Sequence, residues 1–197
     1  DRECMHLKIG VYGGTFDPVH IAHLIIAEFA YQELDLDRLF FVPSFIPPHK
    51  ASKDISDAKH RLNMLLLALA GNDNFAVSTF ELDKGGTSYT IDTLNHFHDL
   101  YDVTSDNLYL LIGADNLVDF SHWKDPDKIK ATAQIVVADR PNAELDTSKY
   151  KEFIFLQSPI LQMSASMIRE RVRQNKSMRY MVHEKVRAYI REHRLYT

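Results

Sequence analysis

The chain predicts an α/β fold, a doubly wound and mostly parallel sheet with a short C-terminal helical segment. Two observations carry this. Short apolar runs alternate with helical patterns almost from end to end. One of those runs, residues 108–112, is continuously apolar and stops at Gly113, the pattern of a central strand covered on both faces.

The elements follow in order. Residues 8–12 read as a first strand. Residues 21–34 read as a helix in which Leu24, Ile25, Phe29 and Ala30 recur at helical spacing. A second strand spans 38–42 and ends at Pro43. Residues 57–70 form a helix, with Gly71 as its stop signal. Residues 75–82 read as a third strand before the break at Gly85-Gly86, and 91–101 as a helix. Strands at 135–138 and 153–156 follow the central one, and helices at 166–174 and 183–193 close the chain. Residues 51–56 are a polar candidate for a mobile loop, and 141–148 form a second loop. There is no internal repeat or domain-splitting linker, so residues 5–197 are expected to be one domain, with about 164–197 as its helical segment. Asp1 to Cys4 precede Met5, which is expected to be the natural start, residues 1–4 being an added remnant.

Composition narrows the function classes. The chain has 197 residues, 45% of them hydrophobic and 25% charged, enough to bury a core without disulfides. A formal net charge of -4 argues against a dedicated nucleic-acid binder, which would carry a basic stripe. Cys4 is the single cysteine, read as a thiol without function, and its solitude fits a reducing, cytoplasmic compartment. No apolar run approaches the roughly 20 residues of a membrane span, and no membrane partner is expected.

The most informative segment is Gly13-Gly14-Thr15-Phe16-Asp17-Pro18-Val19-His20-Ile21-Ala22-His23. It joins a predicted strand to a predicted helix, where an open α/β sheet binds its ligand. Glycines permit positive φ and close backbone approach to a phosphate. The helix start offers unsatisfied N–H groups and a positive dipole end to the same anion. His20 and His23, at i and i+3, share a face with Cβ atoms roughly 5–6 Å apart, so both imidazoles can donate to one phosphate. The same pair also suits a surface location, or two of three zinc ligands, although no third ligand of the usual type is near.

Gly-Gly-Thr-Phe-Asp-Pro-x-His-x-x-His resembles the signature of the nucleotidylyltransferase superfamily, whose usual form is His-x-Gly-His. Ala22 stands here in place of that glycine. Nearly the whole chain is similar to the bacterial nicotinate mononucleotide adenylyltransferase family. Val42-Pro43-Ser44-Phe45-Ile46-Pro47-Pro48-His49-Lys50 resembles the family's loop after the second strand, and Lys59-His60-Arg61-Leu62-Asn63-Met64-Leu65 its next helix. Thr87-Ser88-Tyr89-Thr90-Ile91-Asp92-Thr93-Leu94 resembles the segment that recognises nicotinate mononucleotide, and its hydroxyls suit helix capping. Gly113-Ala114-Asp115-Asn116-Leu117 and Trp123 follow the central strand. Met163-Ser164-Ala165-Ser166-Met167-Ile168-Arg169 resembles the second phosphate motif, Ile-Ser-Ser-Thr-x-Ile-Arg, with Ser164 as a plausible N-cap.

The resemblance implies a Rossmann-like nucleotidylyltransferase fold and transfer of AMP from ATP to nicotinate mononucleotide. It implies ATP contacts from Gly13, Gly14, Thr15, Phe16, His20, His23, Lys50, Ser166 and Arg169, with His20, His23 and Arg169 catalytic. It implies acceptor contacts from Asp17, Thr87, Tyr89, Asp115, Trp123 and Arg140, with Trp123 stacking on the pyridine ring. Mg²⁺ is expected to arrive with ATP, with no protein ligand of its own. The last helix and Leu195-Tyr196 are read as packing only. Nicotinamide mononucleotide and phosphopantetheine remain alternative acceptors, a cytidylyltransferase an alternative enzyme, and an adenine-nucleotide sensor or a zinc module alternatives of another class. The oligomeric state is left open, a homo-oligomer included.

Overall fold

The computed structural model describes residues 7–45, 55–138, 150–159 and 161–197. Cys4, Lys50 and Arg140 lie outside them, as does most of each expected loop.

The strands are β1 (Ile9–Gly14), β2 (Arg38–Pro43), β3 (Phe75–Val77), β4 (Leu108–Gly113), β5 (Gln134–Ala138) and β6 (Ile154–Leu156). They form one sheet in the order β3-β2-β1-β4-β5-β6, and every neighbouring pair is parallel. The chain builds outward from β1 in one direction, then returns to build from β4 in the other. The reversal falls between β1 and β4, and in such sheets ligands bind beyond the carboxyl ends of the strands at this point.

Side-chain alternation divides the core between the faces. On one face Tyr12, Leu39, Phe41, Leu111 and Val136 pack with α1 (Ile21–Glu33), α2 (Ala58–Leu69), α7 (Ala165–Arg173) and α8 (Glu184–Glu192). On the other, Val11, Phe40, Val42, Leu110, Ile112 and Ile135 pack with α4 (Thr90–Tyr101), α5 (Ala114–Asp119) and α6 (Pro126–Thr132). Among the described residues no helix is long and apolar enough to cross a membrane.

Three local expectations need correction. Residues 75–82 are not one strand: β3 stops at Val77, and Phe80–Lys84 forms the short helix α3. Local polar bonds win there over the apolar run. Thr79 Oγ1 donates to Asp83 Oδ2 at 2.7 Å, Ser78 Oγ accepts from the Phe80 N–H at 3.4 Å, and Gly85 ends the helix at φ 67°. Helices α5 and α6, with a 3₁₀ turn at Phe120–His122 between them, fill the crossover from β4 to β5, to which no element was assigned. The charged α6 carries one fully buried anchor, Ile129, too weak a period to be seen. In α1 the buried residues are Ala22, Ala27 and Ala30, whereas Leu24 and Phe29 are only half-buried. Small residues let this helix lie close on the sheet.

Candidate active site

The junction between β1 and α1 lies at the reversal point, and its glycines serve a purpose other than positive φ. Gly13 and Gly14 are both part of β1, and neither adopts the left-handed conformation. A Cβ at Gly14 would lie 2.8 Å from the Phe16 ring, so that ring excludes any side chain there. A Cβ at Gly13 would meet open space, so its absence leaves the backbone accessible. Phe16 itself adopts φ 50° and is 2% exposed, its ring packed against Tyr12 and Phe41. Its side chain is core, so the contact with ATP expected of Phe16 falls to its backbone.

His20 is the N-cap of α1 and His23 is its third residue. The His20 backbone N–H donates to His23 Nδ1 at 3.2 Å. That bond makes Nδ1 an acceptor and leaves the proton of a neutral imidazole on Nε2, a donor for an anionic oxygen. The two rings stack at 3.7 Å between centroids and 22° between planes, and His20 is 4% exposed. The i, i+3 spacing thus produces a paired imidazole unit. The helix terminus is less open than expected, because the Ile21 N–H donates to the Met181 carbonyl at 2.9 Å.

Asp17 is buried, as His20 is. Its side chain is 3% exposed; Oδ2 accepts from the Ser56 N–H at 3.0 Å and Oδ1 from the Tyr196 hydroxyl at 2.5 Å. The acceptor contact expected of Asp17 would thus fall to a carboxylate that already holds two internal donors. Its backbone carbonyl accepts from Arg169 Nη1 at 2.8 Å, and Arg169 Nη2 donates to Ser166 Oγ at 3.3 Å. Ser164 caps α7 as expected, accepting from the Met167 N–H at 3.2 Å. Residues 152 positions apart in the chain therefore meet at one turn. The Arg169 Nε is buried with no acceptor among the described residues, a donor suited to an anion.

Arg61 is the residue that sequence reasoning passed over. It is 1% exposed and donates to three backbone carbonyls: Thr15 at 2.9 Å, Ser56 at 3.0 Å and Phe45 at 3.2 Å. Burial pushes its pKa down, and the nearby Asp17 charge pulls it back up. A signal existed: Arg61 lies on the same helical stripe as Met64, Leu65 and Leu69, a charge at a core position. Tyr196 offered no such signal, since its partner is 179 residues away. Reading it as packing alone is corrected by that bond.

The segment after α3 forms a second cluster. The expected hydroxyl cap of α4 is not made. Tyr89 is the N-cap without a side-chain bond, while Ser88 Oγ accepts from the Phe45 N–H at 3.1 Å. Thr93 is drawn inward to Glu81, donating at 2.6 Å, and burial raises the Glu81 pKa. Thr87 is exposed, and Asp115 is exposed in the first turn of α5. The Lys124 ammonium lies 4.4 Å over the Tyr89 ring and 3.9 Å from Asp92, which also binds Lys84. Trp123 is half-buried against Phe120, with ring centroids 5.3 Å apart. A cleft of about 570 Å³ at the β3 edge, lined in part by Phe40, Phe80 and His96, holds none of the candidate residues.

Comparison with known proteins gives this geometry a lineage. The cytidylyltransferase-like family model matches residues 11–171. A Bacillus licheniformis protein whose name is given as "Probable nicotinate-nucleotide adenylyltransferase" is 38% identical, over 96% of this chain and 98% of its own. One of the same name from Dictyoglomus thermophilum is 41% identical, over 96% of this chain and all of its own. The chain belongs to the nicotinate-nucleotide adenylyltransferases of the cytidylyltransferase-like family. The solved structure of Plasmodium falciparum nicotinic acid mononucleotide adenylyltransferase complexed with NaAD shares the fold, with a TM-score of 0.81 at 21% identity over 97% of this chain and 98% of that one. This nicotinate-nucleotide adenylyltransferase family member gathers paired imidazoles, the Ser166–Arg169 pair and an open Gly13 backbone around one turn. Such a set can neutralise phosphate oxygens and align them.

Proposed function

We propose that this chain transfers AMP from ATP to nicotinate mononucleotide, giving nicotinate adenine dinucleotide and pyrophosphate. The observation that carries the reading is the Arg169–Asp17 bond, which brings the second phosphate motif onto the turn that bears His20 and His23. The 5′-phosphate of the acceptor attacks the α-phosphorus of ATP in line, a new P–O bond forms, and pyrophosphate leaves with the electron pair of the broken bond. A phosphate with a second pKa near 6 is already ionised at neutral pH, so no side-chain base is required. The protein's part is alignment and charge stabilisation. His20, His23, Ser166, Arg169 and the backbone at Gly13, Gly14 and Thr15 carry that part, with Lys50 as a further cation for the triphosphate. Mg²⁺ enters as part of the ATP substrate, held by triphosphate oxygens and water; Asp17 is not assigned to it, because its carboxylate is occupied.

Tyr89, Thr87, Asp115 and Trp123 are assigned to the acceptor, with Arg140 as a phosphate partner. Two ammonium groups, Lys84 and Lys124, share the single Asp92 carboxylate beside Tyr89. Lys124, over the Tyr89 ring, is a cation with which an acceptor carboxylate could pair. With its single cysteine, the chain suits a cytosolic setting for this reaction.

The test is pyrophosphate release with ATP and Mg²⁺, comparing nicotinate mononucleotide, nicotinamide mononucleotide and phosphopantetheine. Release chiefly with the first is expected. Release with another acceptor overturns the specificity, and ATP binding without release from any acceptor points to a sensor. Within this scheme, Trp123→Ala should raise the acceptor KM about tenfold, the loss of one stacked ring. A rise confined to the ATP KM would remove Trp123 from the acceptor site.

A further inference from the structure

Asp17 links two parts of the molecule that no local pattern connects. Its carbonyl receives Arg169 Nη1 at 2.8 Å, and its carboxylate receives the Tyr196 hydroxyl at 2.5 Å. Tyr196 is the penultimate residue of the chain, and with Leu195 it packs against the core cluster formed by α1, α2, α7 and α8. A phenylalanine would pack there equally well, so the hydroxyl has a purpose beyond packing. Burial and the adjacent carboxylate both push the Tyr196 pKa up, which keeps the hydroxyl a donor. The Ser56 N–H holds the other carboxylate oxygen, so the residue that presents its carbonyl to Arg169 is fixed from two sides.

We propose that Tyr196 is a positioning residue for adenylyl transfer: by holding Asp17, it sets the carbonyl that aims the Arg169 guanidinium at the phosphates. This rests on the reaction given above. Among the described residues Arg169 itself is held by two hydrogen bonds, to Asp17 and Ser166. Loss of the Tyr196 hydroxyl frees the Asp17 side chain to rotate toward other donors, and the turn between β1 and α1 moves with it. A displacement of this kind, remote from the chemistry, reaches the rate through alignment.

The experiment is a double-mutant cycle of Tyr196→Phe with Arg169→Lys, run well below the melting temperature of every variant. Tyr196→Phe is expected to lower kcat about tenfold and leave the acceptor KM within twofold, a misalignment effect. In the double variant the loss should be no greater than in Arg169→Lys alone, because Tyr196 acts through Arg169. Losses that multiply, or a folded Tyr196→Phe enzyme within twofold of wild type, would overturn the proposal; a lowered melting temperature with normal kcat would mark the hydroxyl as structural only. Wild-type protein that releases no pyrophosphate would refute the reaction, not this coupling. The same cycle is then read on the ATP dissociation constant, where non-additive losses support the coupling and additive ones sink it. Wild-type protein that binds no ATP refutes both.

Discussion

Replacing His20 with alanine is expected to lower turnover at least about 100-fold, or about 2.7 kcal/mol of transition-state stabilisation, in a protein that still folds. Two roles of His20 must be separated. As N-cap of α1 it supports the helix start, and loss of a cap costs about 1 kcal/mol of stability. The bond that orients His23, however, comes from the His20 backbone N–H, which alanine retains. The fold is therefore expected to lose only a few degrees of melting temperature. The catalytic loss is larger because an imidazole that is 4% exposed and stacked on its partner at 3.7 Å is held in place before the phosphates arrive. Preorganised donors of this kind act on the charge that develops in the transition state, so the loss should fall on kcat and not on KM. His20→Asn, which keeps a capping side chain and an N–H donor, should recover part of the rate. A folded His20→Ala enzyme with more than a third of wild-type turnover would remove His20 from the mechanism.

How much of this was legible in the sequence varies with the range of the interactions. The fold class was open to reading because its signals are local: the apolar run ending at Gly113 became the central β4, and the strand–helix alternation became an entirely parallel sheet. The Ser164 cap and the shared face of His20 and His23 lie within one helical turn, and spacing alone places them. The side chains of Phe16 and Asp17 take directions that the motif does not reveal, for a common reason. Both stand in the most informative motif, yet one turns its ring into the core and the other its carboxylate toward Ser56 and Tyr196. A motif says which residues are kept together; the direction in which each points depends on partners up to 179 positions away. The paired glycines show the same limit, since Gly14 answers to the bulk of Phe16 and not to a positive φ.

Arg61→Met is expected to be strongly destabilising, costing about 3–5 kcal/mol out of the roughly 5–15 kcal/mol by which such domains are stable. Replacing a whole buried ion pair by apolar residues is often harmless, because every polar group leaves together. That escape is closed here. The three acceptors of Arg61 are the backbone carbonyls of Thr15, Phe45 and Ser56, which no side-chain substitution can remove. Each loses the Arg61 donor, and an acceptor left unsatisfied away from water costs about 1–3 kcal/mol before relaxation, less for the exposed Phe45. A positive charge near the Asp17 carboxylate is lost as well. The melting temperature should fall by about 10 °C, read by calorimetry or circular dichroism. Arg61→Lys should fall between the two, since an ammonium restores the charge but cannot span three carbonyls in different directions. A melting temperature within 2–3 °C of wild type for the methionine variant, less than about 1 kcal/mol, would mean that water or a backbone shift satisfies the carbonyls. Because Thr15 lies in the turn proposed to face the phosphates, the folded methionine variant should also lose turnover, tying a buried cation to the proposed chemistry.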